Sequence, residues 1–234
     1  MRSSFMKSYV FGYDFYVDLV FCIDARARMN PLINTLKENI SCFYRDFIDI
    51  MDKKHRKIGN LRVRIILFRD FLSDGQEALL MTKFLDLPER CENFEKCIRA
   101  IKCKGGGSEP GDGLEALAYA IRSDWDTEHY RRRQLIVFFS DDAAHELGFS
   151  KDVDNYPRGM AENFEKLSEW WGSKDTSGFM SEAGKRLLFF TPDLEPWRSI
   201  LENWNNAINY GCKAGSGGSE INYDQILKVI AHAI

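Results

Sequence analysis

The sequence predicts an α/β fold: a doubly wound, Rossmann-like, mostly parallel sheet of about six strands, with one antiparallel edge strand and helices on both faces. Short apolar runs rich in β-branched and aromatic residues alternate with segments of helical periodicity to the end of the chain. These runs lack polar alternation, as expected of strands buried on both faces. One turn-like segment, Ser73-Asp74-Gly75, separates two strand-like runs and predicts a single hairpin.

The first half of the chain begins with the apolar run at residues 14–23, which ends abruptly at Asp24 and is predicted to be a buried strand. Pro31 suits the first turn of a helix, and apolar residues then recur every three or four positions as far as Met51, which predicts one long helix. The hairpin follows, with strands at residues 62–68 and 78–85.

The second half repeats the alternation after a helix at residues 93–101 and a glycine-rich break, Gly105 to Gly107. The run LIVFF at residues 135–139 is the most apolar strand candidate in the chain. The other predicted elements are a helix from near Gly111, helices at residues 160–171, 195–208 and 223–234, a strand at 186–190 and a short strand near Tyr210. The loops at residues 172–184 and 215–219 are small and polar, which predicts mobility.

Composition excludes several classes of function. Its 32 basic and 35 acidic residues are spread along the chain and give a net charge of −3, so nucleic acid is not an expected partner. The sequence has neither a secretory signal pattern nor an apolar run long enough to span a bilayer, which predicts a cytoplasmic protein with no membrane partner. Six cysteines without zinc-type spacing favour free thiols, and residues 1–234 are expected to form a single domain.

Candidate site residues follow from the fold, because open α/β sheets bind ligands outside the carboxyl ends of their strands. The residues at or near these ends are charged or polar. They are Asp24, Arg26, Arg28, Arg69, Asp70, Ser108, Glu109, Asp141, Asp142 and His145.

Two kinds of chemistry are open to this set. Asp24, Ser108 and Asp141 offer hard oxygen atoms of the type that Mg²⁺ prefers. Arg26 and Arg28 bring permanent positive charge to the same place, which argues against a metal ion and favours an ion-pair network with the acids. We therefore expect no cofactor, with Mg²⁺ retained as the alternative.

Three segments in the right order resemble von Willebrand factor A domains. They are VDLVFCIDARARM from Val17, GGGSEPGDGLEALAYAI from Gly105 and LIVFFSDDAAH from Leu135. Phe68-Arg69-Asp70 and the glycine motif are similar to one branch of that family, and the resemblance covers nearly the whole chain. It implies the Rossmann-like fold and a metal-ion-dependent adhesion site, in which Mg²⁺ accepts an acidic group from a protein ligand.

The chain departs from the family pattern within the first motif. Asp24, Ser108 and Asp141 match family ligand positions, whereas Arg26 and Arg28 stand where the family has two serines. The resemblance thus implies a degenerate site and a metal-independent, non-enzymatic module that binds a protein partner through the top of the sheet. It also implies the setting of a bacterial stress-response or defence system.

Two rival interpretations stay open. One is a metal-dependent hydrolase or phosphoryl-transfer enzyme that uses Asp24 and Asp141. The other is a subunit of an oligomer whose top face binds nothing. The sequence disfavours the enzyme because no Gly-Lys-Ser/Thr follows the glycines and no nucleophile is recognisable beside His145, which is expected to be structural or at the edge of the site.

Overall fold

The computed structural model describes residues 14–105 and 110–234, and within them it contains one mixed sheet of seven strands. The strands are β1 (Phe15–Asp24), β2 (Ile58–Phe68), β3 (Leu79–Met81), β4 (Leu85–Leu87), β5 (Arg132–Phe139), β6 (Lys185–Phe190) and β7 (Ala207–Asn209). Their order across the sheet is β3-β2-β1-β5-β6-β7, and β4 also pairs with β2. The predicted doubly wound α/β class is confirmed.

The order of the strands reverses between β1 and β5. From β1 the chain crosses first to β2 on one side, and the later strands β5, β6 and β7 then add in parallel on the other side. Ile23 lies opposite Phe139, so the residues that follow these two strands leave the sheet side by side. This reversal is the place where open α/β folds bind their ligands.

The predicted antiparallel edge is present but divided. β3 pairs with residues 66–68 of β2, and β4 pairs with residues 61–63 of the same strand. Between β2 and β3 the predicted turn is a one-turn helix, α3 (Phe71–Asp74), which continues into a 3-10 turn. The division of one predicted strand into two accounts for seven strands where about six were expected.

Helices cover both faces of the sheet. The longer ones are α1 (Asn30–Asn39), α2 (Phe43–Lys53), α4 (Cys91–Ala100), α5 (Gly113–Ile121), α6 (Phe164–Trp171), α7 (Trp197–Asn203) and α8 (Tyr223–Ala233). Buried side chains of α1, α2, α4 and α8 share one core with the sheet, and those of α5, α6 and α7 share the other. The two-faced arrangement follows from strands that are apolar on both sides.

Three predicted helices were wrong in extent, and one of them, expected over residues 160–171, begins only at Phe164, after the N-cap Asn163. The single helix expected up to Met51 is interrupted by a 3-10 turn at Ile40–Cys42, where the Asn39 amide donates to the carbonyl oxygen of Thr35 at 2.8 Å. Polar side chains that bond to the backbone compete with helical hydrogen bonds in this way. The helix expected over residues 195–208 ends at Asn203, because Asn206 has a positive φ of 60° and the chain turns there into β7.

Two further observations bear on the protein's surroundings. All six cysteines are free thiols. No helix in the described parts of the chain is long and apolar enough to cross a membrane.

Candidate functional site

Asp24 and Ser140 meet at the point where the strand order reverses. Asp24 is the last residue of β1 and is fully buried, and Ser140 directly follows β5. The Ser140 hydroxyl donates to Asp24 Oδ2 at 3.2 Å. A buried carboxylate needs further donors or a cation to remain ionised, and the next residues in the chain supply them.

Arg26 provides a buried guanidinium group directly against Asp24. Its Nε lies 3.0 and 3.1 Å from the two carboxylate oxygens, and its Nη2 lies 2.5 Å from Oδ2. The backbone N–H of Arg26 also donates to Asp24 Oδ1 at 3.0 Å. The pair is therefore held bidentately, which is the strongest geometry available to arginine and a carboxylate.

Gly111 makes room for this guanidinium group. A Cβ atom at position 111 would lie 3.2 Å from Arg26 Nε and 3.0 Å from the carbonyl oxygen of Arg69. Gly111 also connects the site to the loop after β5, because its carbonyl oxygen accepts from the N–H of His145 at 3.1 Å. Only glycine permits this close approach of backbone and guanidinium.

Arg28 binds the two acids that follow β5. Its Nε lies 3.1 Å from Asp141 Oδ1, and its Nη2 forms a close ion pair with Asp142 Oδ2. The distance between Arg28 Nε and Asp141 Oδ1 is that of an ion pair, but the contact does not have the geometry of a hydrogen bond. Asp141 Oδ1 therefore accepts no hydrogen bond from any described residue. Arg28 is one-third exposed, whereas Arg26 is 1 % exposed, so Arg28 is the arginine that reaches the surface.

A glycine-rich loop before α8 covers Asp141 from above. The N–H of Gly217 donates to Asp141 Oδ2 at 2.8 Å, and that of Gly215 donates to the Asp141 carbonyl oxygen at 2.9 Å. Gly217 has a φ of +64°, and a Cβ there would collide with the carbonyl oxygen of Arg28. The sequence predicted only a mobile loop here, because nothing local indicates that its amides bind a distant carboxylate.

The electrostatics of the site combine burial with incomplete neutralisation. Three carboxylates (Asp24, Asp141, Asp142) face two guanidinium groups, which leaves one surplus negative charge when all are ionised. Burial raises the pKa of Asp141, although the Gly217 N–H and Arg28 oppose the rise. Burial disfavours the charge on Arg26, but the hydrogen bonds that Arg26 donates to Asp24 and the attraction of the nearby carboxylates outweigh this effect, and the pKa of Arg26 is raised.

Arg69 and Asp70 lie in the neighbouring loops and are both buried. Arg69 donates to three backbone carbonyl oxygens, those of Ala25 at 3.1 Å, Lys102 at 2.9 Å and Glu77. Asp70 caps α3, accepting from the Leu72 N–H at 2.9 Å and the Ser73 hydroxyl at 2.6 Å. Their observed contacts hold the loops around the site together and do not present either side chain at the surface.

His145 lies on the other side of Gly111, and Ser108 and Glu109 lie outside the described residues. The His145 ring stacks on Phe149 with 4.0 Å between ring centroids, and its Nε2 has no hydrogen-bond partner among the described residues.

A second buried acid cluster lies close by, centred on Glu115 and Asp112, and these two residues were not among the candidates predicted from the sequence. The signal that could have identified it is a single glutamate within the apolar helix LEALAYAI.

The Mg²⁺ site implied by the family resemblance does not fit these residues. The guanidinium group of Arg26 contacts both oxygens of Asp24, and Arg28 is paired with Asp141 and Asp142. A divalent ion would have to approach the same oxygens against two fixed positive charges and without two of its usual hydroxyl ligands. Among the described residues, no three His, Cys, Asp or Glu side chains are grouped so that they could hold a metal ion.

Comparisons with known proteins bear on the fold. No protein-family profile and no curated protein sequence match the chain. Among solved structures, the chain is similar to the pilus adhesin SpaC from Lactobacillus rhamnosus GG, with a TM-score of 0.52 and 11 % identity over 92 % of this chain. The open conformation of the same adhesin gives a TM-score of 0.47 and 9 % identity. This chain spans 30 % of the adhesin's length, and at this identity the likeness shows the fold alone.

Proposed function

We propose that this chain is a non-enzymatic protein-binding module that uses the carboxyl edge of its sheet and does so without a metal ion. The binding surface is centred on Arg28 and Asp142, the two members of the ion network whose side chains reach solvent, with 33 % and 22 % exposure. The structural neighbour named above is a pilus adhesin, which is consistent with an interaction role.

The contact between Arg26 and Asp24 carries the proposal. A guanidinium group in bidentate contact with the first-strand acid neutralises it permanently, because arginine does not lose its proton in proteins. The charge that a metal ion would bring to this edge is thus built into the chain. Arg28 and Asp142 are left at the rim with polar atoms that a partner can reach.

The enzyme alternative is less well supported by these contacts. A hydrolase or phosphoryl-transfer enzyme would need Asp24 and Asp141 to bind metal or activate water. Asp24 instead accepts from Arg26 and Ser140, and Asp141 from Gly217. Neither carboxylate has a free face toward solvent, since both are fully buried.

The cellular setting is part of the proposal and rests on sequence alone. The resemblance to stand-alone bacterial A domains supports a cytoplasmic role in a stress-response or defence system, with a protein as the partner. The net charge of −3, spread along the chain, favours a protein over nucleic acid as that partner.

Isothermal titration calorimetry with Mg²⁺ and Mn²⁺ tests metal independence. The samples are the native chain, the double variant Arg26→Ser with Arg28→Ser, and the control Arg62→Ser, which removes another arginine paired with a buried aspartate, Asp18. We expect heat of binding from the double variant only, because it restores the hydroxyl groups and removes the competing charges. Circular dichroism establishes that each variant is folded. If the native chain binds metal tightly, the proposal of metal independence is rejected and the enzyme alternative is favoured.

A further inference from the structure

The structure points to a particular chemistry for the partner: we infer that it presents a basic side chain next to an apolar one. The apolar side chain enters a groove beside the ion network, and the basic one binds the acids on the rim of that groove. This inference rests on the proposed protein-binding function and specifies which surface and which ligand chemistry that function uses.

The groove has a volume of about 460 Å³ and opens at the same edge of the sheet as Arg28 and Asp142. It lies where the loop after β5 passes the first turns of α5, α6 and α7. Its apolar wall consists of Leu114, Ala144, Leu147, Phe164 and Pro196. We call it the α5–α7 groove. A site of this kind, mostly apolar with a few polar groups at the rim, is typical of surfaces that take a side chain from a ligand.

Large apolar side chains are exposed next to this groove. Leu194, which precedes the lining residue Glu195, is 37 % exposed, and Phe149, which stacks on the lining residue His145, is 56 % exposed. Single exposed apolar residues are ordinary, but here two of them adjoin residues of a groove with an apolar wall, which makes an apolar patch of groove and neighbours. Such a patch favours burial of an apolar group from a partner.

The charges around the groove are acidic. Among the described residues, no lysine or arginine lines it, whereas Glu146 and Glu195 do. Glu195 accepts from the Ser199 hydroxyl at 2.6 Å, so it is partly committed to the start of α7. Glu146 is exposed and forms no ion pair with any described residue. A partner's cation would therefore meet an acid that has no competing cation.

The ion network adds to this preference, because the loop after β5 carries both Asp142 of the network and four residues that line the groove, Ala144 to Leu147. Asp142 is two residues from Ala144, and its carbonyl oxygen accepts from Trp197 Nε1 at 2.7 Å, which fixes the loop to the start of α7. The network contains three carboxyl groups and two guanidinium groups, as described above. A partner carboxylate that approached Arg28 would be repelled by the nearby acids. A lysine or arginine of the partner would instead be attracted to Asp142 and Glu146.

Selection from a phage library of random linear peptides tests the inference directly. The native chain is the bait, and enriched sequences are then synthesised for affinity measurement at low salt. We expect enriched peptides to place lysine or arginine next to an aliphatic or aromatic residue. Their affinity should fall roughly fivefold in Glu146→Lys and stay unchanged in the matched control Glu128→Lys, an exposed acid beyond the opposite end of the sheet. Ala144→Trp, which fills the groove, should weaken binding by more than about tenfold.

The outcomes separate this inference from the proposed function. Enrichment of acidic peptides, or undiminished affinity in both Glu146→Lys and Ala144→Trp, would overturn the groove assignment while leaving a binding role for Arg28. Peptides that bind Arg28→Gln as tightly as the native chain but lose affinity in Glu146→Lys would support the groove and remove Arg28 from the binding surface. The same selection with Ala144→Trp as bait serves as the reference. If the native chain enriches no sequence that Ala144→Trp does not also enrich, both the groove assignment and the proposed protein-binding function would be overturned.

Discussion

Two buried acid clusters lie on either side of Gly111, and they are neutralised in different ways. On one side, Asp24 and Asp141 are paired with Arg26 and Arg28. On the other side, Glu115 accepts from the N–H of Gly148 and from the hydroxyl of Tyr156, each at 2.9 Å, and has no arginine or lysine partner among the described residues. We refer to them as the arginine cluster and the Glu115 cluster.

The difference shows what a guanidinium group contributes. Burial raises the pKa of Glu115 to about 7, because hydrogen bonds alone do not compensate for the loss of water around the charge. Arginine contributes a charge that does not titrate, so the arginine cluster contains fixed positive charge at any physiological pH. The Glu115 cluster has no such fixed charge among the described residues, so the protonation of Glu115 responds to pH.

The largest expected effect comes from removing the cation of the arginine cluster. Arg26→Met leaves Asp24 buried without its counter-charge, and we expect a loss of about 3–5 kcal/mol in the free energy of unfolding. Urea denaturation measures it. Adding Asp24→Asn to the same chain should recover much of the loss, because the uncompensated charge is then gone. If the double variant is as unstable as Arg26→Met alone, the loss in the free energy of unfolding comes from the packing of the arginine and not from its charge.

Arg62→Met is the matched control for this prediction. Arg62 also holds a buried aspartate bidentately, with 2.7 and 2.6 Å to the two oxygens of Asp18, but its side chain is 23 % exposed. Water can therefore replace part of the lost contact, and the Asp126 N–H still donates to Asp18 at 2.6 Å. We expect a smaller loss than for Arg26→Met, and equal losses would contradict the comparison.

Much of the arginine cluster could be predicted from sequence, because it depends on strand ends. An acid directly after an apolar run must leave the sheet at its carboxyl edge, which brings Asp24 and Asp141 together, and arginines two and four residues later are within reach. The roles of Arg69 and Asp70 could not be predicted, since their bonds to backbone depend on loop conformations. Gly217 and Glu115 were missed for the same reason: each binds a partner more than thirty residues away.

The second-largest effect concerns the pH dependence of stability, to which Glu115 should contribute strongly. The pKa of Glu115 is about 7 in the folded chain and 4.5 without perturbation, so over this range the folded state retains a proton that the unfolded state has lost. Stability contributed by this group is therefore present at low pH and lost as pH rises from about 4.5 through 7. We expect the native chain to lose roughly 2–3 kcal/mol between pH 5 and pH 8 from this group.

Glu115→Gln should remove that part of the pH dependence, measured by urea denaturation at both pH values. Glutamine keeps an oxygen that can accept from Gly148 and Tyr156 but does not titrate. The control Glu202→Gln changes an exposed acid on α7 and should leave the pH dependence as it is. If Glu115→Gln and the native chain lose stability in parallel, the Glu115 cluster is not the source.

A smaller effect separates the loop glycines that cover the arginine cluster. Gly217→Ala places a Cβ against the carbonyl oxygen of Arg28 at a φ of +64°, and we expect a loss of about 2 kcal/mol. Gly215 has a similar φ of +73°, but no atom of the described residues lies within 4 Å of a Cβ there, so Gly215→Ala should cost about half as much. Thermal unfolding compares the two. Equal losses would show that backbone strain, and not contact with the cluster, sets the cost.

The smallest effect returns to the Glu115 cluster and tests how its charge is stabilised. Tyr156→Phe deletes the hydroxyl that donates to Glu115 Oε1, at a cost of about 1 kcal/mol at pH 5, where the carboxyl is protonated. At pH 8 the acceptor is ionised, and a hydrogen bond to a charged group contributes roughly twice as much, so the loss should grow.

Tyr223→Phe deletes a similar bond to Asp46, at 3.2 Å, and provides the control. Its cost should not grow between the same two pH values, because the Tyr223 hydroxyl donates to Asp46 and not to Glu115. A Tyr156→Phe loss that is the same at both pH values would mean that the hydroxyl does not stabilise the Glu115 charge, and the contrast between the two clusters would then rest on arginine alone.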